Sequence, residues 1–145
     1  RIECPGQQAL SCVRYVLDVM PRHAADSLVQ RNACLALGRL ADACPCFASD
    51  IVQLGGLRCL LAVMEAHETE GDTQENTLLA LLRVTAHDVD SLFSIALSRK
   101  VADLVLGILE RHSGNAAVQD RGLRLLGRLI WTSSVRAAAQ RLFSR

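Results

Sequence analysis

Three stretches of this chain align with one another without a gap, and that alignment decides the fold. The first is Gln30-Arg31-Asn32-Ala33-Cys34-Leu35-Ala36-Leu37-Gly38-Arg39-Leu40. The second is Gln74-Glu75-Asn76-Thr77-Leu78-Leu79-Ala80-Leu81-Leu82-Arg83-Val84, and the third is Gln119-Asp120-Arg121-Gly122-Leu123-Arg124-Leu125-Leu126-Gly127-Arg128-Leu129. Their starting points lie 44 and 45 residues apart. Within each, apolar residues return every three or four positions, the spacing that lines one face of a helix rather than a strand. A helical unit repeated at that period belongs to stacked-repeat architectures.

Outward from these stretches the helical period continues. Leu10, Val13, Tyr15, Val16, Leu17 and Met20 form a stripe that Pro21 is expected to end. Leu57, Leu60, Leu61 and Met64 form another, and Val101, Leu104, Val105, Ile108 and Leu109 a further one. Pro5-Gly6, Gly55-Gly56, Gly71-Asp72 and Ser113-Gly114 punctuate the series. Hairpin dipeptides and clusters of β-branched residues are missing, so the chain reads as all-α. Between aligned copies lie a short helix and a medium one: Asp50 to Leu54, the glycine pair, then a new helix from Leu57. Ser91 to Leu97 is expected to repeat the short helix, with Ser98-Arg99-Lys100 in place of the glycines. The approximate units are 1–43, 44–87, 88–132 and a partial cap or next repeat over 133–145, whose Ser134–Phe143 would open a fourth unit.

Asn32-Ala33, Ala36-Leu37 and Gly55-Gly56, with the apolar short helix between, carry a family resemblance. The chain resembles an array of about three armadillo repeats. The resemblance implies a right-handed superhelical solenoid of three-helix repeats, a single domain over residues 1–145. It also implies an intracellular interaction domain whose third helices line a concave face that binds partner segments. Well-known members place an Asn ladder there, three positions after the Ala of the Ala-Leu pair. This chain has Arg39, Arg83 and Arg128 at that place, and no flanking tryptophans. The family's extended basic-peptide groove therefore does not carry over.

The arginine row admits two readings. Three arginines on neighbouring helices, about 10 Å apart, suit bidentate recognition of an acidic or phosphorylated segment. Arg121 and Arg124 extend that surface, Arg136 and Arg141 prolong it, and Trp131, three residues past Arg128, supplies an aromatic anchor. Alternatively each arginine ends its helix by capping carbonyls, and Trp131 belongs to the core.

Composition bounds the rest. The chain has 145 residues, half of them hydrophobic, which excludes disorder as the default. Sixteen basic and fifteen acidic residues give a net charge of +1, so overall charge makes no case for nucleic acid or membrane. The balance is uneven: −3 over residues 1–72 but +6 over 111–145, where seven arginines face only Asp120. That basic end is the footprint of the alternative function, a nucleic-acid-binding helical repeat, against which the few aromatics argue. No apolar run approaches the roughly 20 residues of a membrane span. Arg1 in place of Met, with no signal peptide, predicts a piece of a longer protein.

The six cysteines, Cys4, Cys12, Cys34, Cys44, Cys46 and Cys59, lie in the first 59 residues. Several sit among helix-type apolar neighbours, which predicts reduced thiols and a reducing, cytoplasmic compartment. Cys44-Pro45-Cys46 lacks further ligands at metal spacing. His23, His67, His87 and His112 look scattered, and His67–Asp72 reads as an acidic loop. No catalytic set, phosphate loop or cofactor motif emerges. The expectation is therefore a non-enzymatic scaffold or adaptor, without cofactor, metal or small-molecule substrate, binding another protein. Raw apolar faces at the ends of the array predict self-association as well.

Overall fold

The structure is a computed structural model that describes residues 6–87 and 99–144; for Arg99, Lys100 and Arg136 only the backbone is described. All described secondary structure is helical: α1 Gln7–Arg22, α2 Ser27–Ala43, α3 Pro45–Gln53, α4 Gly56–Ala66, α5 Gly71–Val84, α6 Arg99–Arg111 and α7 Ala116–Phe143. The expected short helix at Ser91–Leu97 falls within residues 88–98, outside the described residues.

The helices form two layers. α1, α4 and α6 lie side by side in one, and α2, α5 and α7 in the other, with α5 in the middle. Each long helix also packs on its predecessor: α1 with α2, α4 with α5, α6 with α7. α3 sits at the corner against α1, α2, α4 and α5. The core runs through the layers without a break. Val13, Leu17, Cys34, Leu37, Leu60, Met64, Leu78, Leu81, Val105, Ile108 and Leu125 are all buried in it. No single unit covers its own apolar faces, so each is stable only against the next.

The α3–α4 corner shows why Gly55-Gly56 is needed. The two helices are bent by 75°. Gly55 turns the chain at φ 84°, a left-handed conformation that other residues enter at a cost. Gly56 leaves no room for a side chain, because a Cβ there would lie 2.7 Å from the Ile51 carbonyl oxygen and strike the Ile51 side chain. Pro45 opens α3 at the first helical position, where its missing N–H leaves no bond unmade.

Each long helix of the second layer is fastened to its predecessor by one glutamine. Gln30 Nε2 donates to the carbonyls of Met20 (2.9 Å) and His23 (2.7 Å). Gln74 repeats this with Met64 (3.3 Å) and His67 (2.7 Å), and Gln119 with Leu109 (2.8 Å) and His112 (3.0 Å). The acceptors are the last-turn and capping carbonyls of the first-layer helices, where the regular intrahelical ladder runs out. The histidines are not scattered either. His23, His67 and His112 cap α1, α4 and α6 at the repeat spacing. His67 Nε2 donates to the Ala24 carbonyl at 2.8 Å, and His112 Nε2 to the Glu68 carbonyl at 2.7 Å. Each of these two therefore ties its own unit to the one before.

Several boundaries differ from expectation. α1 continues one residue past Pro21. The turn after α4 is shorter than the acidic loop expected, since Gly71 and Asp72 already belong to α5. α7 runs unbroken for 28 residues, so Ser134–Phe143 prolongs the third helix instead of starting a fourth unit. No Gly or Pro interrupts residues 128–143, and the Ala137–Ala139 run favours helix. The expectation of uniformly reduced thiols also fails. Cys46 is disulfide-bonded, while Cys12, Cys34 and Cys59 are free thiols.

Candidate partner-binding face

The aligned stretches bring the arginine row onto adjacent helices, since Arg39 lies on α2, Arg83 on α5 and Arg128 on α7. Their environments differ. Arg39 is exposed and Arg83 half-buried, and neither makes a hydrogen bond or ion pair among the described residues. Arg128 is half-buried and its Nη1 donates to the Leu82 carbonyl at 2.9 Å. It does not end a helix, because α7 continues well past it. It seals the α5–α7 seam by reaching a carbonyl on the neighbouring helix. One bond uses one of five guanidinium donors, so the planar fork keeps capacity for an anion.

The other basic candidates divide in the same way. Arg121 Nη1 donates to the Glu75 carbonyl at 2.7 Å from a half-buried position. Arg121 thus takes over in the third copy what Asn76 does in the second, whose Nδ2 donates to the Arg31 carbonyl at 3.4 Å. Arg124 is exposed and pairs with Asp120 one turn back at 3.3 Å. That pair is solvent-screened and exchanges readily for a ligand carboxylate. Arg141 is exposed, its Nε donating to the Ala137 carbonyl at 3.3 Å.

Trp131 is 66% exposed. The core reading of this residue is therefore overturned. The equivalent positions in the earlier copies, Asp42 and Ala86, are exposed too, because this place in the unit faces away from both neighbouring layers. Arg121, Arg124, Arg128 and Trp131 follow one another at three- and four-residue steps along α7 and so share one helical face. Leu35 and Leu79, at the position of Arg124 in the first two copies, are half-buried and leave an apolar strip between the charged rows.

Nothing else in the described residues competes with this face as a chemical centre. A shallow apolar pocket of about 200 Å³ opens between α1 and α4, lined by Met20, Pro21, Ala24, Cys59 and Ala62, and includes none of the arginine row. Among the described residues no three His, Cys, Asp or Glu side chains come together closely enough for a metal ion. Burial pushes the Cys34 thiol up to about 11, although Thr77 donates to its Sγ at 3.4 Å and pulls the other way. Burial likewise raises the half-buried Cys59 thiol. Both are poor nucleophiles at neutral pH. No single described helix is long and apolar enough to cross a membrane.

Compared with known proteins, the chain matches no family model, no curated protein and no solved structure.

Proposed function

We propose that this chain is a protein-interaction module of the armadillo-like solenoid type, which holds an acidic or phosphorylated segment of a partner protein along the face of α2, α5 and α7. The observation that carries the reading is the exposed Trp131 on the helical face of Arg124 and Arg128, in register with Arg39 and Arg83, neither of which makes a hydrogen bond or ion pair among the described residues. A large exposed aromatic beside guanidinium groups is the composition of an interaction hot spot. The pairing of Arg with carboxylate or phosphate gives direction to an extended ligand laid across parallel helices. In this reading the module acts as a scaffold or adaptor and performs no catalysis.

Trp131 is the sole tryptophan, so its fluorescence reports on the site directly. Titration with acidic and phosphoserine peptides is expected to shift its emission and to saturate. The variant Arg39→Glu/Arg83→Glu/Arg124→Glu is expected to lose at least tenfold in affinity with its helical circular dichroism unchanged. An unaltered affinity in that variant removes the row from the site. A second reading rests on the +6 balance of residues 111–145: the basic end of α7 binds nucleic acid. It requires sequence-indifferent binding of RNA or DNA whose affinity falls steeply with salt. Saturable binding of peptide but not of nucleic acid decides for the first.

A further inference from the structure

The α1–α4 and α4–α6 seams are built from equivalent positions of the repeat, yet their edges are filled differently. At the α4–α6 edge a recess is lined by the half-buried Leu104 and by Glu68 and Arg111, which pair at 3.5 Å. By repeat register the same places at the α1–α4 edge are Cys59, Ala24 and Ala66. A cysteine stands for a leucine there, and two alanines for an ion pair. Among the lining positions only Gly107, in place of Ala62, is smaller at the α4–α6 edge, by one methyl. The free volume follows the side chains: about 200 Å³ at α1–α4 against about 120 Å³ at α4–α6.

The larger cavity is held open by its walls. Gln30 Nε2 holds the carbonyls of Met20 and His23, and His67 Nε2 holds the Ala24 carbonyl at 2.8 Å. The end of α1 is thus fixed to both α2 and α4, which limits how far the site can settle to fill the space. Arg58 is the one charged residue of the lining. It is exposed and makes no hydrogen bond or ion pair among the described residues. An acid, Asp103, takes its place at the other edge. The α1–α4 cavity therefore combines an apolar interior with a cationic rim. An apolar cavity of about 150 Å³ accepts benzene, so this one has room for an apolar body of about six to eight carbons.

We propose that the α1–α4 cavity binds a small carboxylic acid, its apolar body in the space that Leu104 fills at the other edge and its carboxylate on Arg58. The site lies between the first-layer helices, away from the arginine row on α2, α5 and α7. It is a ligand site additional to the peptide-binding face.

Ligand-observed NMR titration with phenylacetate and its neutral isostere phenylacetamide tests this. Both are expected to bind saturably in the millimolar range or below. Phenylacetate should bind tighter by about two- to fivefold, the gain of an exposed ion pair. Arg58→Gln is expected to abolish that preference and leave phenylacetamide binding unchanged. Cys59→Leu restores the side chain of the other edge and is expected to abolish binding of both, with the helical spectrum intact. Ala62→Leu fills the same space and repeats this test should Cys59→Leu lose its helical spectrum. No saturable binding to the wild type, equal affinity for the two probes, or full binding to a folded, filled variant would each overturn the proposal. Tighter binding of a peptide ending in leucine, lost on filling the cavity, would assign the space to a partner chain and overturn it as well. The variant Arg39→Glu/Arg83→Glu/Arg124→Glu should bind phenylacetate as the wild type does, so this proposal and the peptide-binding reading fail separately.

Discussion

Replacing Gln74 by Met tests whether the glutamine fastenings hold the units together. Gln74 is fully buried, and its Nε2 donates to Met64 and His67. Met keeps the length and volume and removes the donor. Two lost hydrogen bonds are worth about 1–3 kcal/mol together. The His67 carbonyl still accepts from the Glu70 N–H at 3.1 Å, so only the Met64 carbonyl is stranded, for about 1–3 kcal/mol more. Against this, the buried Gln74 Oε1 has no partner, and removing it relieves a penalty of about the same size. The net expectation is a loss of about 1–3 kcal/mol, a drop of roughly 1 M in the urea midpoint. Gln119 makes the same two bonds from a half-buried position, where water replaces the lost donor. Gln119→Met is therefore expected to cost less than about 1 kcal/mol. Urea unfolding followed by far-ultraviolet circular dichroism measures both. A Gln74→Met protein as stable as the parent, or a larger loss at Gln119, would refute the reasoning.

Three further outcomes follow from local geometry. Gly55→Ala is expected to cost about 1 kcal/mol for the left-handed backbone, and Gly56→Ala about 1–3 kcal/mol for the collision with Ile51; thermal melts that rank them in the opposite order count against the corner described above. At pH 8 a thiol with a pKa near 11 is about 0.1% thiolate, so iodoacetamide should modify exposed Cys12 in the native protein and spare Cys34 until it unfolds, as peptide mass spectrometry will show. The Glu70 carboxyl is held below its usual range, chiefly by a hydrogen bond from Ser27 and further by His67. A lowered folded pKa gives stability that is present above the ordinary carboxylate value and lost as pH falls through the lowered one. The stability gap between wild type and Glu70→Gln should thus be full at pH 6 and shrink below about pH 4; a gap that widens in acid would contradict the assignment.

Much of the fold was legible because burial imposes its own period. A helix that must hide one face repeats apolar residues every three or four positions, so the stripes, the 44- and 45-residue offsets and the Gly55-Gly56 corner can be read directly. The glutamines and histidines recur at the same offsets and were equally visible. What was missing was their purpose, because the carbonyls they reach lie 7, 10 or more than 40 residues away.

The candidate face was legible only as a row of like residues. Arg39, Arg83 and Arg128 are one letter in three equivalent places, yet among the described residues a neighbouring carbonyl engages only Arg128. The run of α7 past Trp131 likewise decides that the indole lies on a solvent-facing helical surface and not at a corner. Local periodicity is a property of the chain, and the sequence alone determines it. Whether a donor is satisfied or an aromatic covered depends on which helix comes to lie beside it, and only the packing of the layers supplies that neighbour.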